Sequence, residues 1–160
     1  MSDTLLEPSK SSEKMYKIDD HMTSVVAGLG SDANILINYA RVTSQRYLYT
    51  YQEPMPVEQL VQRVCNQKHS YTQFGGMRPF GVAFLFGGWD EFHGYQLYMT
   101  DPSGNYSGWK AKCIGQNNQS GTGILKTDYE ETMDTKAAMK LAVKVLLPIG
   151  GGVAAGAASE

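Results

Sequence analysis

The sequence predicts an α+β fold in which two stacked β-sheets lie between outer layers of helices, a four-layer α-β-β-α sandwich. Three observations lead there. The helical segments fall into two pairs, one separating two groups of strands and one following the second group. The stretch Pro79 to Phe86 is nearly continuously apolar and rich in aromatic and β-branched residues, the pattern of a strand buried on both faces. A chain of 160 residues is also long enough for one domain with a sizeable core. The order is β-β-α-α-β-β-β-α-α. Spacing alone leaves a simpler α+β sandwich equally open.

Residues 1–13 are polar and without period, and read as a lead into the first strand. Met15 to Ile18 and Thr23 to Leu29 suit two strands joined by the polar turn Asp19-Asp20-His21. A helix then starts at Gly30-Ser31, with Ser31 or Asp32 placed to cap the free N–H groups of its first turn. Leu36, Tyr39, Ala40 and Thr43 mark its apolar face, Arg41 and Arg46 fall off that face, and the helix runs to about Tyr49. Glu53-Pro54-Met55-Pro56 breaks the chain, and Pro56 suits the start of a second helix. Val57, Leu60, Val61 and Val64 recur at i, i+3, i+4 and i+7, which marks a core stripe.

Gly75, Gly76 and Pro79 build the turn that joins this helix to the buried strand. A second turn at Trp89 to Gly94 leads into a strand from Tyr95 to Thr100. Asp101-Pro102-Ser103-Gly104 is a turn with Pro second and Gly fourth, and Tyr106 to Ile114 reads as a third strand of an antiparallel meander. Asn117 to Tyr129 is the third helix, although Gly121 and Gly123 each cost it roughly 1 kcal/mol relative to Ala. Asp134 or Thr135 caps a last helix with Ala138, Leu141, Ala142 and Val145 on its apolar face. The body of the domain is thus 14–147, and the Gly/Ala-rich tail 148–160 is expected to be unstructured.

Composition excludes several function classes. The net charge of −2 offers no basic surface for nucleic acid or an anionic membrane. His21, His69 and His93 lie in separate elements without a second ligand at helical spacing, so neither a metal nor another cofactor is expected. Cys65 and Cys113 read as reduced core thiols. No apolar signal-peptide core opens the chain, and the uncharged run Val145 to Ser159 is broken by Pro148 and glycines and is too short to span a bilayer. The sequons at Asn105 and Asn118 read as chance matches.

Several ordered blocks carry a resemblance: Ser11 to Asp20, Ser31 to Asn38, Tyr51 to Gln62, Tyr71 to Asp90 and Leu97 to Tyr106. Together they resemble the alpha subunits of the 20S proteasome, the type-4 branch above all, from about Leu5 to Leu146. The resemblance implies the four-layer sandwich of N-terminal nucleophile hydrolases. It implies a non-catalytic scaffold subunit of the threonine endopeptidase complex, working in ubiquitin-dependent protein catabolism in cytoplasm and nucleus. Implied partners are neighbouring alpha subunits, the beta-ring subunits and the C-terminal tails of activators or the regulatory particle. Three residues match the activator-tail pocket between alpha subunits. Lys14 matches the lysine facing the tail carboxylate, and Gly28 and Leu29 match its wall. A carboxylate needs a cation held at fixed distance, and a glycine admits close backbone approach.

Two departures from the family pattern bear on function. The family's N-terminal signature segment, its gate-forming tail, first helix and first two strands have no counterpart here, so a gate role does not carry over. Similarity stops near Leu146, where the family continues into further strands and a last helix. Open sheet edges and an uncovered apolar face would follow, which is an aggregation hazard. The alternative reading is therefore a non-assembling truncated isoform or fragment without proteasome activity. A threonine-type N-terminal nucleophile hydrolase is a third reading, with Ser2 freed by loss of Met1, but Pro8 argues against a central strand there.

Overall fold

The computed structural model describes residues 14–147 and the strand at 153–157. The lead 1–13 lies outside the described residues, as do 148–152 and 158–160. Strands β1 (Met15–Asp19) and β2 (Met22–Gly28) form a hairpin, and helices α1 (Gly30–Tyr51) and α2 (Val57–Gln73) follow. Next come β3 (Val82–Asp90), β4 (Gly94–Thr100), β5 (Tyr106–Gly108) and β6 (Ala111–Gly115). Helices α3 (Asn118–Asp128) and α4 (Thr135–Leu146) and strand β7 (Val153–Ala157) complete the order.

The first sheet is antiparallel throughout, in the order β1-β2-β3-β4-β5. Helices α1 and α2 pack on one side of it, and β6 and β7 on the other, against β2 and β3. Helices α3 and α4 then cover β6 and β7, which completes four layers. Alternation along β3 makes this possible, because successive side chains point to opposite faces. Phe84 and Phe86 enter the core under α1 and α2, with Leu36, Ile37, Leu60, Val61 and Val64. Leu85 faces the other way and meets Leu97 and Ile114 between the sheets. A third cluster, Cys113, Leu125, Leu141 and Val145, seals β6 to α3 and α4. Both cysteines are buried and unbonded.

Local chemistry explains the element ends. Met55 is buried, and Val57 opens α2 with its N–H bonded to the Asp90 carboxylate at 3.1 Å. Asp90 also accepts from Phe92 N, His93 N and Gln96 Nε2 at 3.1, 2.8 and 2.7 Å. One buried carboxylate thus caps α2 and shapes the β3–β4 turn. Asp134 caps α4 through Ala137 N at 2.7 Å.

Four expectations are corrected. The stretch Tyr106 to Ile114 is not one strand, because the chain leaves the first sheet after Gly108 and joins the second at Ala111. Facing sheets stand ~10 Å apart, so the crossing needs the irregular Trp109-Lys110. The strand expected to end at Phe86 continues to Asp90, and the turn shrinks to Glu91–His93. Neither Ser31 nor Asp32 caps α1, which starts from Leu29 with no side-chain cap. The tail read as unstructured contains β7, paired antiparallel with β6 from Ala111↔Ala157 to Gly115↔Val153. The ladder is made by backbone groups, so small residues serve β6's unpaired edge as well as large ones.

Candidate docking site

The end of β2, the start of α1 and the start of β3 converge in one corner. Gly28 holds φ +130°, and a Cβ there would lie 2.3 Å from Gly81 O. Only glycine fits that conformation and that approach. The next residue, Leu29, donates its N–H to Gly81 O at 3.0 Å, and its carbonyl accepts from Ala33 N at 3.0 Å to begin α1. Its side chain is more than half exposed, and a Cβ on Gly81 would come within 3.0 Å of Leu29 Cδ1.

Asp32 locks this corner from inside the first turn of α1. Its carboxylate takes Arg78 Nη1 at 2.6 Å and Nη2 at 2.8 Å, a two-pronged pair, and Gly81 N–H at 3.0 Å. The Arg78 guanidinium, and after it the Gly81 N–H, hold the Asp32 carboxyl down at about 2, so it stays ionised. Asp32 fixes Gly81, Gly81 fixes Leu29, and Gly28 leaves no room for a side chain against Gly81.

Lys14 stands beside this corner. Its carbonyl accepts from Val26 N at 3.0 Å, which extends the β1–β2 ladder and places Lys14 two positions before Gly28 on the adjoining strand. Its side chain is exposed. The structure thus brings Lys14, Gly28 and Leu29 to one end of the β1–β2 hairpin, next to a helix N-terminus with no side-chain cap. The unsatisfied N–H groups of such a terminus and a nearby ammonium both favour a carboxylate. Sequence reasoning missed Arg78 and Gly81 as parts of the corner, and took Asp32 for a cap. An Arg inside a Gly/Pro turn gives no periodic signal, and its partner lies 46 residues away in the chain.

Among the described residues no three His, Cys, Asp or Glu come together to hold a metal ion. No helix among them is long and apolar enough to cross a membrane.

A family model described as "Proteasome subunit" matches residues 1–154. The chain belongs to the proteasome subunit family. Within this family it is 65% identical over 142 residues to "Proteasome subunit alpha type-4-A" of Arabidopsis thaliana. It is 64% identical to "Proteasome subunit alpha type-4" of Spinacia oleracea and 62% identical to "Proteasome subunit alpha type-4-1" of Oryza sativa subsp. indica, over the same length. Each match covers 89% of this chain and 57% of the relative. The chain therefore spans little more than half the length of these curated proteasome subunits. The α+β layers described above agree with the proteasome subunit fold.

Proposed function

We propose that the chain is a non-catalytic structural subunit of the alpha ring of the 20S proteasome core. In that role it contacts neighbouring alpha subunits and beta-ring subunits, in cytoplasm and nucleus, and supports ubiquitin-dependent protein catabolism. The observation that carries the reading is the likeness to alpha type-4 subunits across nine-tenths of the chain. The corner at Lys14, Gly28 and Leu29 is its docking point for the C-terminal tail of an activator. Support comes from the exposed Lys14, the uncapped N-terminus of α1 and the rigid Gly28–Leu29 wall. A tail carboxylate pairs there with the Lys14 ammonium while its last side chains lie along Leu29.

Co-expression of the tagged chain with the other core subunits tests the reading, with a native gel probed for tag and for peptidase activity. Tag in the active core band is expected. Tag confined to free or aggregated material overturns the subunit role. In assembled particles Lys14→Ala is expected to weaken activator association while leaving the core band unchanged.

A further inference from the structure

Where the chain crosses from the first sheet to the second, a cavity of about 330 Å³ opens between the start of β6 and helix α3. Trp109, Lys110 and Lys112 line it from the crossing and β6, and Leu125, Lys126 and Tyr129 from the end of α3. Leu125 is buried in the cluster that seals β6 to α3 and α4, which anchors this wall in the core.

The charges of the cavity are one-sided. Three lysines line it, and among the described residues no carboxylate does, in a chain whose net charge is −2. Lys110 is neutralised by Glu131 at 2.6 Å. Lys112 has an aromatic partner instead of an acid, its Nζ lying 3.7 Å from the centre of the Trp109 ring. Lys126 stands in the last turn of α3 and pairs with no described carboxylate. A cation there suits the helix dipole, which accounts for Lys126 in part but not for Lys112.

Sites for whole small molecules begin at about 300 Å³, so this cavity takes a small ligand entire. The Trp109 and Tyr129 rings and Leu125 make its walls mainly apolar, which suits a flat aromatic body. Two uncommitted ammoniums favour a dianion over a monoanion, and a phosphate monoester carries close to two charges at neutral pH. Lysine binds phosphate as a point charge and needs no fixed approach. Thr122 and the Tyr129 hydroxyl are the neutral polar side chains in the lining, so stacking and not edge recognition holds the ring.

We infer that this cavity binds a small aromatic phosphate monoester, its ring against Trp109 and Leu125 and its phosphate between Lys112 and Lys126. Because β6 and α3 lie across the first sheet from α1, the site is separate from the Lys14 corner, and either can fail without the other.

The test titrates the full chain with AMP, adenosine and inorganic phosphate, following the indole N–H resonance of Trp109 by NMR, with Trp89→Phe to assign it. AMP is expected to shift that resonance and to bind on the order of tenfold more tightly than adenosine or phosphate, with affinity falling as salt rises. Lys126→Gln weakens AMP binding by a similar factor, while Lys112→Arg, which keeps the charge and the ring contact, retains it. Glu131→Gln frees the Lys110 ammonium and tightens AMP binding several-fold, a gain that a damaged fold would not produce. Equal binding of AMP and phosphate overturns the inference in favour of a simple anion site. Equal binding of AMP and adenosine overturns it in favour of an apolar cleft. No shift at millimolar AMP, or no tightening in Glu131→Gln, overturns it as well.

Discussion

Lys68 Nζ donates to Thr100 Oγ1 across 2.9 Å, and no solvent reaches the lysine. It also donates to the carbonyls of Val82 and Asp101 at 3.0 and 3.2 Å and lies 4.7 Å from the centre of the Phe84 ring. One ammonium therefore pins α2 to the β3 and β4 ends through three acceptors, none of them a carboxylate. Burial pushes its pKa down to about 8.

That shift sets a pH dependence. In the folded chain Lys68 loses its proton near pH 8, while in the unfolded chain it keeps it up to the usual lysine value of 10.5. Between those values the unfolded state binds more protons, so stability rises with pH. The gain is on the order of 3 kcal/mol at most. Urea midpoints of the wild type and of Lys68→Met, compared from pH 7 to about 10, isolate it. The wild type is expected to gain on the variant as pH rises, and parallel curves would refute the assignment.

The Asp32–Arg78 pair acts in the same direction, with stability rising with pH, but in an acid window. The Asp32 carboxyl is held down at about 2, so its contribution is complete above the usual carboxylate range and disappears as pH falls through that value. Asp32→Asn should lower the urea midpoint at neutral pH and flatten the acid limb of the stability profile between about pH 4 and about pH 2. An unchanged acid limb would show that the pair does not hold in solution.

Gly28→Ala should cost on the order of 2–3 kcal/mol, because the new methyl meets Gly81 O in a conformation L residues avoid. Thermal unfolding reads this directly. Gly30→Ala makes the control, since nothing lies within 4 Å of a Cβ there.

Asp90→Ala removes a buried acceptor from the N–H groups of Val57, Phe92 and His93. Burial alone would raise the Asp90 pKa, but the hydrogen bonds from Gln96, His93, Val57 and Phe92 outweigh it and the group stays ionised. A loss of about 2–4 kcal/mol is expected, with amide exchange at Val57 accelerated ahead of the rest of α2.

Much of this was legible in the residues. The Val57, Leu60, Val61, Val64 stripe is fully buried, as its period requires. Apolar composition announced β3, and Asp134 announced the start of α4. What the sequence hid was long-range polar pairing. Asp32 reads as a local cap because a cap needs only neighbours, whereas its true partners, Arg78 and Gly81, come from another element. Lys68 lies among the buried residues of α2, yet a lysine at such a position reads as solvated until Thr100 and two carbonyls surround it. The passage from β5 to β6 was invisible because both pieces have strand composition, and only the sheet spacing demands a break. Of the candidate site, the resemblance supplied Lys14, Gly28 and Leu29, while the clamp that stiffens their corner emerged from the fold.

The first sheet lists its strands in the order in which the chain encodes them. During synthesis each new strand therefore meets an edge already laid down, and no earlier pairing must open to admit a later one. Once Gly108 has left the ribosome, the five strands of this sheet, both of its helices and the Lys14 corner are available to form, with β6, α3, α4 and β7 still to come. The second sheet and its helices are then added to a finished platform.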